Sequence, residues 1–424
     1  MRAVFWLVLG AFAVTGCVRQ GFGVSGSPDA RADTSVPDLT IAPEVAADDG
    51  VPDAQVPDAP PPDAEPWPAE GRWSPTSASP LSARLWVNAA WTGNAFAVWS
   101  GALNLAYDGT TDGALYDPVT ETWSAMSATG APSARHTPSH VWDGASLLVY
   151  GGAQKFGVVQ DGGRYDPQSD TWTALGATPG RRIYHVALWT GSRMLLWGGW
   201  GDGIHKDTGF AYDPQAATWT PMATSGAPGG RSFAGAVWTG SELLIWGGCD
   251  GAMGTCAGIK GDGARYDPVA DQWTPMATSG APAPRTAHSA VWTGSRMIIF
   301  GGCANANTAP TVSGSAAYDP VSDSWSPLST AGAPADRCGH AAAWLPGIKR
   351  MAIWGGWDAS ARGDGALYDP VSDSWSPMAD ADAPVPRQRF AFAASDRCLF
   401  IWGGGDAAGT PLDGGALWCG GPPP

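Results

Sequence analysis

Seven arginines recur at near-constant spacing: Arg84, Arg135, Arg182, Arg231, Arg285, Arg337 and Arg387. A guanidinium holds its donors in a rigid fork that matches a carboxylate, so seven of them converging would bind an anionic ligand. Asp112, Asp161, Asp262 and Asp364 offer the opposite outcome. Each stands four residues before a repeating tyrosine, where an Arg–Asp pair would simply tie strands together. His185, His288 and His340 share one place, three residues after an arginine, which suits hydrogen-bonded core histidines better than a common metal site. His205 lies in a variable stretch beside Lys206 and Asp207. Trp200 and Trp357 each directly follow a Gly-Gly pair and could line a binding surface. No His-Glu-x-x-His, Gly-x-Ser-x-Gly or P-loop pattern is present, so no catalytic residue, metal or cofactor is expected.

These residues sit in a repeated unit that begins near Trp67. Tyr-Asp-Pro starts at Tyr116, Tyr165, Tyr212, Tyr266, Tyr318 and Tyr368, and a tryptophan follows each tyrosine seven positions later, from Trp123 to Trp375. A Gly-Gly pair closes an apolar run at Gly151, Gly198, Gly247, Gly301, Gly355 and Gly403, with Ser100-Gly101 as a degenerate seventh. In each unit the arginine opens a short apolar strand, a Thr-Gly-Ser-like turn follows, and a second strand ends at Gly-Gly. After a variable loop, a third strand stops at proline and a fourth surrounds the tryptophan. That predicts four antiparallel strands per unit, with no stretch of helical period. Of the 24 tryptophans, most sit at repeat-locked positions and are expected to pack blades.

Apolar run, Gly-Gly, Tyr, six residues and Trp resembles the kelch repeat. The resemblance implies an all-β, seven-bladed β-propeller over 67–424. The last unit reaches Gly415-Ala416-Leu417-Trp418 without its own Trp strand, while Arg72-Trp73-Ser74-Pro75 is a Trp strand without a unit. The N-terminal strand is therefore expected to complete the last blade and leave no open edge. The resemblance further places the seven arginines near the mouth of the central channel, where kelch proteins can hold acidic ligands. Galactose oxidase, a copper enzyme on this fold, needs tyrosine and histidine ligands and a cysteine-linked tyrosine. The tyrosines here are mostly locked into Tyr-Asp-Pro, so that site is not supported.

Six cysteines follow Cys17. Their positions relative to the strand ends suggest the pairs Cys249–Cys256, Cys303–Cys338 and Cys398–Cys419, the last stapling the closing blade. No Cys-x-x-Cys spacing argues for metal instead.

Before the repeats, Arg2 precedes an apolar run, Ala3 to Val14, too short to span a bilayer. It ends in Val14-Thr15-Gly16-Cys17, which resembles a bacterial lipobox. The resemblance implies a signal peptide over 1–16, lipidation of Cys17 and, with Val18 next, sorting to the outer membrane. Residues 17–66 are rich in Pro, Asp and Ala, with ten acidic residues against Arg19 and Arg31. Such a segment cannot bury enough apolar surface to fold. Extended at roughly 3.1 Å per residue, it would make a tether on the order of 100 Å long.

The net charge is −15, and no basic stripe points to nucleic acid or to an anionic membrane surface. The expected protein is a lipid-anchored monomer facing the periplasm or the cell surface. It would be a binding scaffold for a protein or glycan ligand, attached to membrane by its lipid alone. The alternative is a carbohydrate-active enzyme similar to the kelch-type sialic acid mutarotases.

Overall fold

The computed structural model describes residues 71–251, 256–305 and 310–421, all of it strand, turn or loop. Cys17 and the segment 17–66 lie outside the described residues. Seven four-stranded antiparallel sheets form the blades of a propeller. Blade 1 comprises Asn88–Trp91, Phe96–Trp99, Gly113–Asp117 and Thr122–Met126. Blades 2 to 6 repeat that order, and blade 7 is built from Ala391–Ala394, Cys398–Trp402, Gly415–Cys419 and the N-terminal strand Arg72–Pro75. Trp73 pairs with Trp418 and Arg72 with Cys419, so the last blade is completed by the strand expected to complete it.

First strands are innermost and packed ring-wise. Each touches the first strands of both neighbours, and Ala391–Ala394 returns to Asn88–Trp91 to close the circle. Small residues such as Ala89, Gly235, Ala341 and Ala391 allow that approach. Between blades, buried tryptophans and aliphatics form a chain of similar clusters. One, for example, joins Trp246, Ile299 and Trp325 across blades 4 and 5. Second strands such as Leu243–Trp246 are buried on both faces and read as continuous apolar runs.

The Gly-Gly pair has a backbone reason. Both glycines have positive φ, as at Gly151 (62°) and Gly152 (95°), and a Cβ on Gly152 would meet the His136 carbonyl at 2.6 Å. The second residue of each pair donates its N–H to the carbonyl of the next blade's arginine, at 2.8–3.2 Å. This occurs at all seven seams, from Gly101 to Arg135 through to Gly404 to Arg84. Ser100 keeps the left-handed backbone (φ 67°) in the degenerate unit.

The three disulfides are Cys249–Cys256, Cys303–Cys338 and Cys398–Cys419, with Cα separations of 5.1, 5.8 and 4.1 Å. The second crosses the seam between blades 5 and 6. The third links paired strands of the closing blade.

Candidate functional site

One face of the propeller carries the Gly-Gly ends, the arginines and the variable loops; it is called the loop face below. The opposite turn face carries the tight turns after the first and third strands.

On the loop face the seven repeat arginines are buried, with 0–4 % of each residue exposed. Every one donates from Nη1 to the first carbonyl of its own Gly-Gly position, at 2.9–3.3 Å. The guanidiniums also reach the start of the third strand. Arg84, Arg135, Arg231 and Arg337 pair there with Asp112, Asp161, Asp262 and Asp364. Arg182 takes Thr208, Arg285 the carbonyls of Val312 and Ser313, and Arg387 the carbonyl of Gly414. Burial works against ionisation of Asp112, yet hydrogen bonds from Arg84 and Thr110 and the Arg84 charge hold its carboxyl below the usual range. Without a carboxylate bonded to them, Arg285 and Arg387 are pushed down by burial to about 10. The expected ligand-binding ring is therefore corrected. These side chains face inward and their donors serve the blade, so they knit the fold rather than await an anion.

His185 and His340 are scaffold as well. Their Nε2 atoms lie 3.0 and 2.9 Å from the hydroxyls of Ser139 and Ser289 in the preceding blade. Burial, followed by the nearby arginine charge, depresses His185, His288 and His340 to about 3, so all three are neutral near pH 7. Trp200 and Trp357 do reach the loop face, half-buried. Trp200 packs with Ala153, Val158, Ile183 and Tyr184; Trp357 packs with Ala287, Cys303 and Cys338. His205 is held by Ser232 and the Gly251 carbonyl.

The residue two positions after each arginine escaped sequence reading. These seven are Trp86, Thr137, Tyr184, Phe233, Ala287, Gly339 and Arg389, and all have φ between 50 and 60°. That conformation is costly for non-glycine residues and tends to persist where surroundings enforce it. Backbone bonds join neighbours of the set: Trp86 N–H to Arg389, Thr137 to Trp86, Phe233 to Tyr184 and Gly339 to Ala287, at 2.9–3.2 Å. The seven thus encircle the axis at the loop-face end. Alignment on the arginines gives no signal for it, because the positions on either side, from Leu85 and Val87 to Gln388 and Phe390, vary as widely as this one.

Exposed apolar side chains are divided between the faces. Leu103, Leu105, Phe156 and Ile204 stand on the loops between second and third strands in three consecutive blades, 1 to 3. Phe156 is 93 % exposed. Lys155 bridges two of these loops through Asp108, at 2.8 Å. On the turn face, Val119, Val269, Val321 and Val371 are single residues after Tyr-Asp-Pro, one per blade.

A family model described as the KLHDC2/KLHL20/DRC7 Kelch-repeats domain matches residues 87–281 and again 212–404. The chain belongs to the kelch-repeat family. The two matches overlap in blades 3 and 4 and together span the kelch propeller from its first blade to the Gly-Gly pair of its seventh. No curated protein matches the chain.

Proposed function

We propose that this kelch propeller is a protein-binding scaffold, held at the outer membrane by a lipid on Cys17 and offering its loop face to a partner in the periplasm or at the cell surface. The observation that carries the reading is the crest of Leu103, Leu105, Phe156 and Ile204 across blades 1 to 3. Several large apolar side chains exposed on the variable loops of neighbouring blades suit a recognition surface, whereas singly scattered ones carry no such meaning. The turn-face valines are of the second kind. Repeat-position arginines and histidines are committed to the scaffold, so a chemistry built on them gains no support.

A photo-crosslinking residue placed at Phe156 should trap a discrete protein adduct in cells, and one placed at Val371 should not. Adducts from Val371 alone, or from neither, would count against the loop face. Replacement Cys17→Ala should move the protein from the membrane pellet to the soluble fraction; retention in the pellet would count against the anchor.

A further inference from the structure

Four of the seven seams carry the same corner on the outer side of the propeller. Asp170, Asp271, Asp323 and Asp373 each accept two hydrogen bonds on one carboxylate oxygen, at 2.6–2.9 Å. One comes from the hydroxyl of the tyrosine five residues earlier, the other from a backbone N–H of the preceding blade, that of Ser127, Ala223, Ala277 or Ser329. The carbonyl of that preceding-blade residue takes the indole N–H of the repeat tryptophan. A linker alanine, Ala131, Ala227, Ala281 or Ala333, packs in the same cluster as the indole.

Between blades 2 and 3 each donor of this corner is present and none has its acceptor. Tyr212 and Trp219 pair across their strands as Tyr266 and Trp273 do. Leu175 keeps the bond to Gly162 that Met222 makes to Gly209, so Gly176 stands where Ala223 stands at the next seam. A Cβ on Gly176 would lie 3.6 Å from the carbonyl oxygen of Ala217, the residue in the place of the aspartate. Gly176 has φ 74° and no backbone hydrogen bond among the described residues. The Tyr212 hydroxyl has no acceptor among them, and the Trp219 indole nitrogen is enclosed without one. No linker alanine joins the cluster around Trp219, which is half-buried where its four counterparts are 7–9 % exposed. Gly176 and Ala217 are both exposed, so the corner opens to solvent.

A carboxylate is acceptor-only and can serve several donors at once. The surroundings admit one. Arg164 reaches the Pro214 carbonyl at 3.4 Å and its charge acts on the Tyr212 phenol. Asp143 and Asp213 each face an arginine, Arg164 at 3.7 Å and Arg193 at 4.0 Å. Asp271 is held in a like setting, where Asp267 and Arg193 act on Tyr266. The other seams place here an aspartate, some backbone and a small side chain beside the indole, and a peptide brings all three.

We propose that the outer corner of the seam between blades 2 and 3 binds an aspartate of an acidic peptide segment from a protein partner, its carboxylate taken by the Tyr212 hydroxyl and the Gly176 N–H and its backbone lying along Trp219. The site rests on the protein-scaffold reading for the source of the peptide but uses none of the crest residues.

The full chain, isotopically labelled on its indole nitrogens, tests this through the Trp219 indole resonance, assigned by its loss in Trp219→Phe. The probe is the capped tripeptide alanyl-aspartyl-alanine, with its asparagine counterpart and acetate as controls. The aspartyl peptide should move the Trp219 signal saturably. The asparagine peptide should bind about tenfold more weakly, since hydrogen bonds to an ionised acceptor are roughly twice as strong as neutral ones. Acetate, which brings no backbone, should also bind more weakly. Tyr212→Phe should weaken the aspartyl peptide about fivefold, and Tyr266→Phe, at a filled corner, should not. Ala217→Asp, which supplies the carboxylate from within, should abolish binding; if that variant does not fold, Tyr212→Phe decides. An unmoved Trp219 signal, equal binding of the asparagine peptide or of acetate, or full affinity in Tyr212→Phe or in folded Ala217→Asp would each overturn the proposal. Crosslinking from Phe156 is read separately: a partner trapped there without peptide binding sinks this site alone, and peptide binding without a trapped partner sinks the crest alone.

Discussion

The seam between blades 3 and 4 and the seam between blades 2 and 3 are built from the same repeat, yet only the first has an outer clasp. At the former, the Trp273 indole donates to the Ala223 carbonyl at 2.8 Å, and the Ala223 N–H returns to Asp271 at 2.8 Å. Tyr266 donates its hydroxyl to the same Asp271 at 2.6 Å, so one carboxylate joins the turn of its own blade to the exit of the previous one. The seams at Trp172, Trp325 and Trp375 repeat this device with Asp170, Asp323 and Asp373. At the 2–3 seam the aspartate is replaced by Ala217, the incoming linker from Trp172 to Arg182 is two residues shorter than that from Trp219 to Arg231, and the Trp219 indole nitrogen is buried without a partner. What remains there is the inner ring, Gly152 to Arg182, with the His185–Ser139 bond beside it, the Tyr150 hydroxyl on the Gly180 carbonyl, and Arg164 reaching the Pro214 carbonyl. The inner hydrogen bonds are thus a condition of closure, present at every seam, while the full outer clasp is reinforcement at four seams; Trp73 and Trp123 keep only the indole bond, to Ala379 and Ser77, and the 2–3 seam has neither part.

The strongest way to break this comparison is to remove the indoles. Trp273→Ala should cost about 3–5 kcal/mol, the usual range for a buried tryptophan, and Trp219→Ala about 1 kcal/mol less, because its N–H makes no bond to lose. Urea unfolding of the two variants decides the matter, and equal losses would mean the clasp contributes nothing.

Acid should find the weaker seam next. His185 and His340 have folded pKa values near 3 against an unfolded value of about 6.5, so the unfolded chain binds more protons between those limits. Stability should therefore fall as pH drops from about 6.5 toward 3, by on the order of 2 kcal/mol per histidine at pH 5. Phe390 fills the corresponding place in blade 7, so His185→Phe should fold and flatten the profile. Hydrogen exchange at pH 5 should quicken around Gly176–Arg181 before it does around the 5–6 seam, which also has Asp373 and a disulfide. Simultaneous opening of both would show that the outer clasp is not what separates them.

A smaller effect is expected from Asp271→Ala, about 1 kcal/mol, since the carboxylate is exposed although it accepts two hydrogen bonds, from the Ala223 N–H and the Tyr266 hydroxyl. The smallest change sharpens the comparison from the other side. Ala217 has φ 52°, a conformation aspartate tolerates better than alanine, and the Tyr212 hydroxyl lies in the register that meets the aspartate elsewhere. Ala217→Asp should stabilise the protein by about 0.5 kcal/mol in thermal unfolding, and a loss instead would show that the shorter linker cannot accept the clasp.

Much of this could be read in advance. Tyr-Asp-Pro, the tryptophan seven residues on and Gly-Gly each reflect a local demand, so their recurrence announced the strands, and the orphan strand at Trp73 announced how the circle closes. The disulfides were legible because strand direction assigns each cysteine to an end of a blade. The arginines were legible as to place but not as to use. Their spacing allowed a ligand ring or a set of staples, and burial with four Asp partners and seven glycine-position carbonyls decided for staples. Arg389 and its ring stayed hidden because their shared feature is a backbone angle, and their side chains, freed from the repeat, have no common type.

The chain's residues alone determine the number of blades, the strand order and the cross-links, since these follow from short-range propensity and from a pattern that recurs about every fifty positions. Which partner each arginine serves was decided by the tertiary structure. A guanidinium's role depends on what lies within a few ångströms of it, and those neighbours come from distant strands and from the next blade, which no local pattern specifies.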